Sequence, residues 1–378
     1  MKSWLVVAVL TVPAGALADH RLAIEPSVEV TEVHDDNLNF SAEEPLRDQI
    51  RRITPTLALR FDSPRWSARG TYGMDSEQFA THSGLDNARA RERANINIEY
   101  QAGPRLMLSM NSGYTDTNTL AELNVETGLA AARVRGRRLS IGPVARFRIS
   151  PRLTAVASAS SVSTNVENGI GMSAQVQTIV VERRATPRDV FSVDYEHSHL
   201  VFDGETTQSL NTHTVLAGWS RDLGASSHLM LHAGPRITDG STAADLSASL
   251  MQNWRSSSIA ISLLRSQSTV IGYAGAVDTQ SLQSKFTYTP NRLLTAYAAP
   301  AVIRSTHHQL EGTVYRIALG ARYAITPLVG LDVSYSRDTQ NGAIDPLLAN
   351  TRFSHATLSV GFTTRWSSGD PYGTGGVR

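Results

Sequence analysis

Trp66-Ser67-Ala68-Arg69-Gly70-Thr71-Tyr72-Gly73-Met74-Asp75-Ser76-Glu77 changes character at every step. Trp66, Ala68, Gly70, Tyr72 and Met74 fall on one face, and Ser67, Arg69, Thr71, Gly73, Asp75 and Glu77 on the other. A repeat of two is the side-chain period of a β-strand. One face can meet hydrocarbon, whereas the other carries charge that only water or an opposite charge could accommodate.

The rhythm continues on both sides. In 88–100, Arg89, Arg91, Arg93, Asn95, Asn97 and Glu99 oppose Ala94, Ile96, Ile98 and Tyr100. In 314–325, Tyr315, Ile317, Leu319, Ala321, Tyr323 and Ile325 oppose Arg316, Ala318, Gly320 and Arg322. In 354–366, Leu358, Val360, Phe362 and Trp366 oppose His355, Thr357, Ser359, Thr363 and Arg365. The stretch 170–185 leaves its register open by one residue. Heptad or 3.6-residue periods are absent.

Two kinds of break divide these stretches. Short ones are rich in Pro, Gly, Ser and Arg, as in Ser63-Pro64-Arg65, Ser150-Pro151-Arg152, Thr186-Pro187-Arg188, Pro290-Asn291-Arg292 and Thr326-Pro327-Leu328. Proline presets φ for a tight turn and cannot donate to a central ladder. The others, 35–49, 78–88, 117–130 and 339–350, are longer or richer in acids and amides. Short turns alternating with longer loops are expected of a barrel with turns periplasmic and loops outside. Counting hairpins predicts an all-β, closed antiparallel transmembrane barrel of about eighteen strands, with sixteen the next count. The strands exceed the roughly five or six residues usual in soluble sheets and match the 9–11 of a membrane crossing.

Aromatic rings support a membrane reading. Trp66, Tyr100, Phe147, Trp219, Trp254, Tyr288, Tyr323 and Trp366 sit on apolar faces close to the short turns, a position suited to a headgroup girdle. A second set, Tyr72, Tyr114, Tyr195, Tyr273, Tyr315 and Tyr335, falls toward the longer loops. Phe362 and Trp366 on the last strand look like a barrel-assembly signal, so assembly machinery and outer-membrane lipid are the expected partners.

Composition narrows the classes. The 378 residues have net charge +1 and no cysteine, which argues against a dedicated nucleic-acid binder and rules out disulfides and thiolate sites. Arginine carries nearly all positive charge, since Lys2 and Lys285 are the only lysines. Met1-Lys2-Ser3, an apolar run from Trp4 and the cleavage pattern Ala16-Leu17-Ala18 read as a signal peptide over 1–18. The expected division is then signal 1–18, one barrel over 19–366 and a flexible tail over 367–378, with both termini of the barrel periplasmic.

Val28-Glu29-Val30 through Asp35-Asp36-Asn37, together with Asp116-Thr117-Asn118-Thr119-Leu120 and Glu122-Leu123-Asn124-Val125-Glu126-Thr127-Gly128, resemble the outer-membrane barrel group called "porin 2". So does the Arg-rich strand running to Ser150-Pro151-Arg152. That group includes barrels associated with exopolysaccharide or PEP-CTERM gene clusters. The resemblance implies an outer-membrane barrel serving polysaccharide export, with periplasmic export components as partners, and supplies no catalytic residue.

The inward arginines are the leading functional candidates. Arg89, Arg91 and Arg93 form one column, and Arg138, Arg146 and Arg148 another two strands on. A guanidinium grips carboxylate or phosphate with a planar fork, and rings of such charge favour anions. The bland alternative is wall-stabilising pairing with Asp75, Glu77 and Glu99. His34-Asp35-Asp36-Asn37 with Asn39 offers oxygens for calcium but lacks the spacing of an EF-hand, so a polar loop is the better reading. His197, His199 and His213 with Ser198 and Asp203 suggest a barrel hydrolase but stand in no recognisable motif, and His307-His308 reads as an outer loop. No cofactor, metal or catalytic residue is expected. The functional expectation is an outer-membrane pore for an anionic polysaccharide or small solutes, with 117–130 as its constriction. The alternative is a structural or adhesive barrel that binds through its loops.

Overall fold

The computed structural model describes residues 21–130, 133–204, 207–344 and 352–366. Its strands are β1 (Arg21–Asp35), β2 (Asp48–Asp62), β3 (Trp66–Phe79), β4 (Asn87–Gln101), β5 (Leu106–Thr117) and β6 (Gly136–Ser150). They continue as β7 (Leu153–Val166), β8 (Gly171–Arg184), β9 (Asp189–Asp203), β10 (Gln208–Asp222), β11 (Ser227–Thr238) and β12 (Ser241–Asn253). The ring is completed by β13 (Ser257–Thr269), β14 (Ala276–Tyr288), β15 (Leu294–His307), β16 (Leu310–Ala324), β17 (Val329–Ala343) and β18 (Arg352–Arg365).

Each strand pairs antiparallel with its sequence neighbours, and β1 closes the ring on β18, with Val30 opposite Phe362. This is the expected closed barrel of eighteen strands. Closure leaves no edge, so backbone polar groups are satisfied within the sheet. No helix among the described residues is long and apolar enough to cross a membrane. The expected signal and tail lie outside the described residues.

Cross-strand partners share a face, so the register fixes which residues point out. Leu59 and Leu57 of β2 face Ile24 and Pro26 of β1, and on the far side Leu57 meets Tyr72. These side chains are exposed, Leu57 at 39%, as are Ile96, Val193, Leu282, Leu319 and Val360. Large apolar side chains exposed all round the outside would be costly in water and suit lipid. The eight girdle residues all lie near the short turns. Trp66 stacks on Tyr100 with centroids 4.2 Å apart, and Trp219 Nε1 donates to Asp189 at 3.2 Å.

Short-turn chemistry is local. Ser63 Oγ accepts from Trp66 N at 3.1 Å, Thr186 Oγ1 from Asp189 N at 2.9 Å, and Asn291 Oδ1 from Leu294 N at 2.9 Å. These are Asx- and Ser/Thr-turns, in which a side-chain oxygen replaces a backbone partner. The opposite end departs from simple alternation. Thr238–Ser241 and His307–Leu310 are as tight as any short turn, with Asp239, Gly240 and His308 at positive φ.

The larger departure is that two connections fold into the barrel. The β5–β6 connection leaves one wall and reaches β14–β17, half-way round the ring. There Leu129 packs with Val277, Ile303, Val314 and Ile344, and Ala130 N donates to Gln340 Oε1 at 3.0 Å. Gly128 makes this seat possible: its φ is +64°, and a Cβ there would stand 3.1 Å from Ile303 Cδ1. The outer end of the β13–β14 hairpin also turns inward. Pairing of β12 with β13 stops at Leu246 opposite Arg265, although both strands continue. Gly272 bridges to Ile170, and Ala274 and Ala276 pack on Met172, Ala174, Leu200 and Phe202. Asn124 locks the two insertions together, since its Oδ1 accepts from Ile271 N at 2.7 Å. Tyr273 therefore joins the inner cluster, not an outer girdle.

Candidate functional site

The two insertions pack apolar side chains against β7–β9 and β14–β17 and leave a polar cavity of about 400 Å³ toward β10–β12. On the other side a cavity of about 440 Å³ remains, bounded by the loop after β5 and by the walls β1–β4 and β16–β18. Its lining is charged, with Arg52, Glu77, Arg91, Glu122, Arg133, Arg316, Asp338 and His355 among the contributors.

Asp75 does not line the cavity itself but anchors two arginines that do, Arg91 and Arg52. The inward column of β3 places it fully buried, and it accepts Thr54 Oγ1 at 2.9 Å, Arg91 Nη1 at 3.1 Å and Arg93 Nη2 at 3.3 Å. One turn outward along that column, Glu77 accepts Arg52 Nη2 at 2.7 Å and Arg133 Nη2 at 3.2 Å. Glu122, carried by the inserted loop, binds Arg91 and accepts Thr117 Oγ1 at 3.0 Å. The Arg133 guanidinium lies 5.0 Å over the Phe79 ring. Across the gap Arg316 grips Asp338 with two bonds of 2.8 and 2.7 Å, and His355 contacts Asp35 at 3.0 Å. Paired charge lining a narrow gap favours polar solutes over apolar ones.

Of the arginines singled out from sequence, Arg91 and Arg93 meet at Asp75. Arg89 does not join them: the ladder slips between Asp75 and Glu77, and Arg89 instead binds Glu92. A bulge re-aims a side chain in this way. Arg138 faces the lumen beside Thr115 and Thr164 and forms no ion pair among the described residues. Arg146 and Arg148 also face the lumen, but at the short-turn end, far from Asp75 along β6. Glu99, a candidate partner for the column, makes no ion pair with it.

Other candidates are accounted for by local bonding. Asp35 Oδ1 accepts from Asn37 N at 2.9 Å, and Asp36 Oδ1 from Ala356 N at 2.6 Å, so these carboxylates tie the first loop to β18. His213 bonds Tyr195 Oη at 2.9 Å and stacks on His197, while His199 bonds Asn211 at 2.8 Å. Ser198 pairs across to Thr212 on the lumen face, opposite to His197 and His199, so no nucleophile–base contact forms there. On the outward face of β5, Asp116 accepts from Arg135 Nε at 2.8 Å and Arg137 Nε at 2.7 Å. That hydrogen bond raises the already high proton affinity of Arg135, keeping it cationic.

Arg52, Glu122, Arg133, Arg316 and Asp338 escaped the sequence reading. The inward parity of Arg316 was visible, but its partner lies on the next strand in an unmarked register. Glu122 and Arg133 sit in a loop, where no period reports direction.

No protein-family model and no curated protein matches the chain, so the resemblance to porin 2 rests on the residues quoted for it. Solved structures do match in shape. The outer membrane protein OpdK of Pseudomonas aeruginosa, solved with vanillate, aligns at TM-score 0.50 and 11% identity, covering 91% of this chain and 99% of that one. OccAB4 of Acinetobacter baumannii aligns at 0.48 and 11%, covering 92% and 99%. The siderophore receptor PirA of Pseudomonas aeruginosa aligns at 0.45 and 9%, covering 91% and 80%. At 11% identity the OpdK match shows a shared barrel fold.

Proposed function

We propose that the protein is an outer-membrane channel whose lumen is narrowed, not filled, by the loop after β5, and that it passes small polar or anionic solutes. The carrying observation is the charge-lined gap beside that loop, bounded by Glu77, Arg52 and Arg91 on one wall and by Arg316–Asp338 on the other. The first and last described residues, Arg21 and Trp366, lie at the short-turn mouth, which in this reading faces the periplasm. Passage of an anionic polysaccharide, implied by the resemblance to porin 2, belongs to the same proposal.

Reconstitution into a planar bilayer tests it. The expected result is stepwise conductance that rises when the loop after β5 is shortened. Silence from well-folded protein, both intact and shortened, would overturn it. One observation favours a second reading, a closed barrel that binds through its outer loops: the apolar seal of Leu129, Val277, Ile303 and Val314 closes much of the bore. That reading predicts no conductance before shortening and large conductance after it.

A further inference from the structure

At the short-turn end of the lumen, Arg105, Arg146, Arg148, Arg152 and Arg184 line one cavity of about 450 Å³. Glu182 is the one carboxylate lining it, 3.6 Å from Arg146. The other four arginines form no ion pair among the described residues. Backbone hydrogen bonds fix their spacing: Arg148 N donates to Arg105 O at 2.8 Å, and Arg184 N to Arg152 O at 2.8 Å. Two turn arginines are thereby held beside two strand arginines, within one patch of wall from β5 to β8.

This departs from the outer half, where Arg52, Arg91, Arg93, Arg133, Arg236 and Arg316 each lie against a carboxylate. Arg69 and Arg138 also lack an ion pair among the described residues, but each stands singly, whereas here four such arginines line one cavity. Like charges so crowded repel, and the repulsion is relieved when a multivalent anion displaces their counterions. Guanidinium forks suit carboxylate and phosphate oxygens alike.

We infer that the short-turn mouth is a binding site for polyanions, namely solutes or polymers bearing several carboxylates or phosphates, which it concentrates before they enter the narrow gap. The inference rests on the channel reading, and it adds a direction. Polyanions bind at the short-turn mouth, which in that reading faces the periplasm and is the mouth from which export would start. With a Debye length of about 8 Å at physiological salt, the site acts at close range and weakens steeply as salt rises.

The test is block of single-channel current by inorganic tripolyphosphate, by a galacturonate hexamer and by neutral maltohexaose, each added to one side at a time. The expected result is block by both polyanions from the short-turn side at least tenfold below the concentration needed from the other side, and none by maltohexaose. The triple variant Arg148→Ser, Arg152→Ser, Arg184→Ser should abolish the asymmetry, while the corresponding lysine variant keeps most of it. All three side chains are exposed, and heat-modifiable gel migration checks folding. Equal block from both sides, or asymmetry that survives the serine variant, would overturn the site. Block by only one polyanion would tell a phosphate site from a carboxylate site within the same proposal. If no channel opens, tripolyphosphate binding to the detergent-solubilised protein by calorimetry decides alone: binding lost in the serine variant upholds the site though the channel fails, and no binding removes it.

Discussion

In the outer half of the lumen, most guanidinium groups lie against carboxylates; at the short-turn end of β5–β8 a cluster of four has none. Asp75 alone serves Arg91 and Arg93 at hydrogen-bond range, and Arg52 stands 3.8 Å away. At the other end, four of the five arginines share no carboxylate at all. The contrast teaches what each group does. Paired charges inside a narrowed, partly dry region hold walls and loop together, because unpaired ones would be too costly there. Unpaired charges in a wide wet mouth cost little and remain available to a solute.

Several changes can break or sharpen this contrast. Replacing residues 120–130 with a short Gly-Ser bridge removes both Glu122 and the Leu129 seat, so conductance should rise several-fold in planar bilayers; an unchanged value would mean that the loop does not limit passage. Leu57→Arg places charge against hydrocarbon and should cost about 2–4 kcal/mol, whereas Ala58→Arg, one residue on, points into the lumen and should cost far less. Asp75→Asn removes the one carboxylate partner of Arg93 and leaves Arg91 and Arg52 with Glu122 and Glu77. It should lower stability by about 1–3 kcal/mol in urea titrations of the lipid-reconstituted barrel and raise anion preference in reversal potentials. Gly128→Val forces a branched side chain into positive φ against Ile303. About 1–3 kcal/mol of strain should loosen the loop without unfolding the wall, seen as faster hydrogen exchange at Leu129 and noisier open current.

Much of the wall was legible because its signals are local. Strand period, turn chemistry and ring placement put Ala94, Ile96, Leu319 and Leu358 on the face that the barrel turns outward, and hairpin counting reached eighteen. The inner half was less legible because its signals are long-range. Arg89 obeys the same alternation as Arg91, yet a bulge set by the neighbouring strand turns it aside. Residues 266–278 keep a strand rhythm while the hairpin that carries them leaves the wall. Its displacement depends on apolar partners such as Leu129 and Phe202, distant in sequence. Tyr273 looked like a girdle ring for the same reason. Residues 117–130 could be named as a constriction from length alone, but where they land, on Val277, Ile303 and Gln340, needs the closed ring.

The account stands on alternate side chains facing lipid and water, and a chain without cysteine makes that directly measurable. Single cysteines placed at Leu57, Ala58, Leu59 and Arg60 in proteoliposomes would be challenged with a small membrane-impermeant maleimide. The account predicts rapid labelling at 58 and 60 and protection at 57 and 59. Uniform labelling, uniform protection or the opposite phase would contradict it.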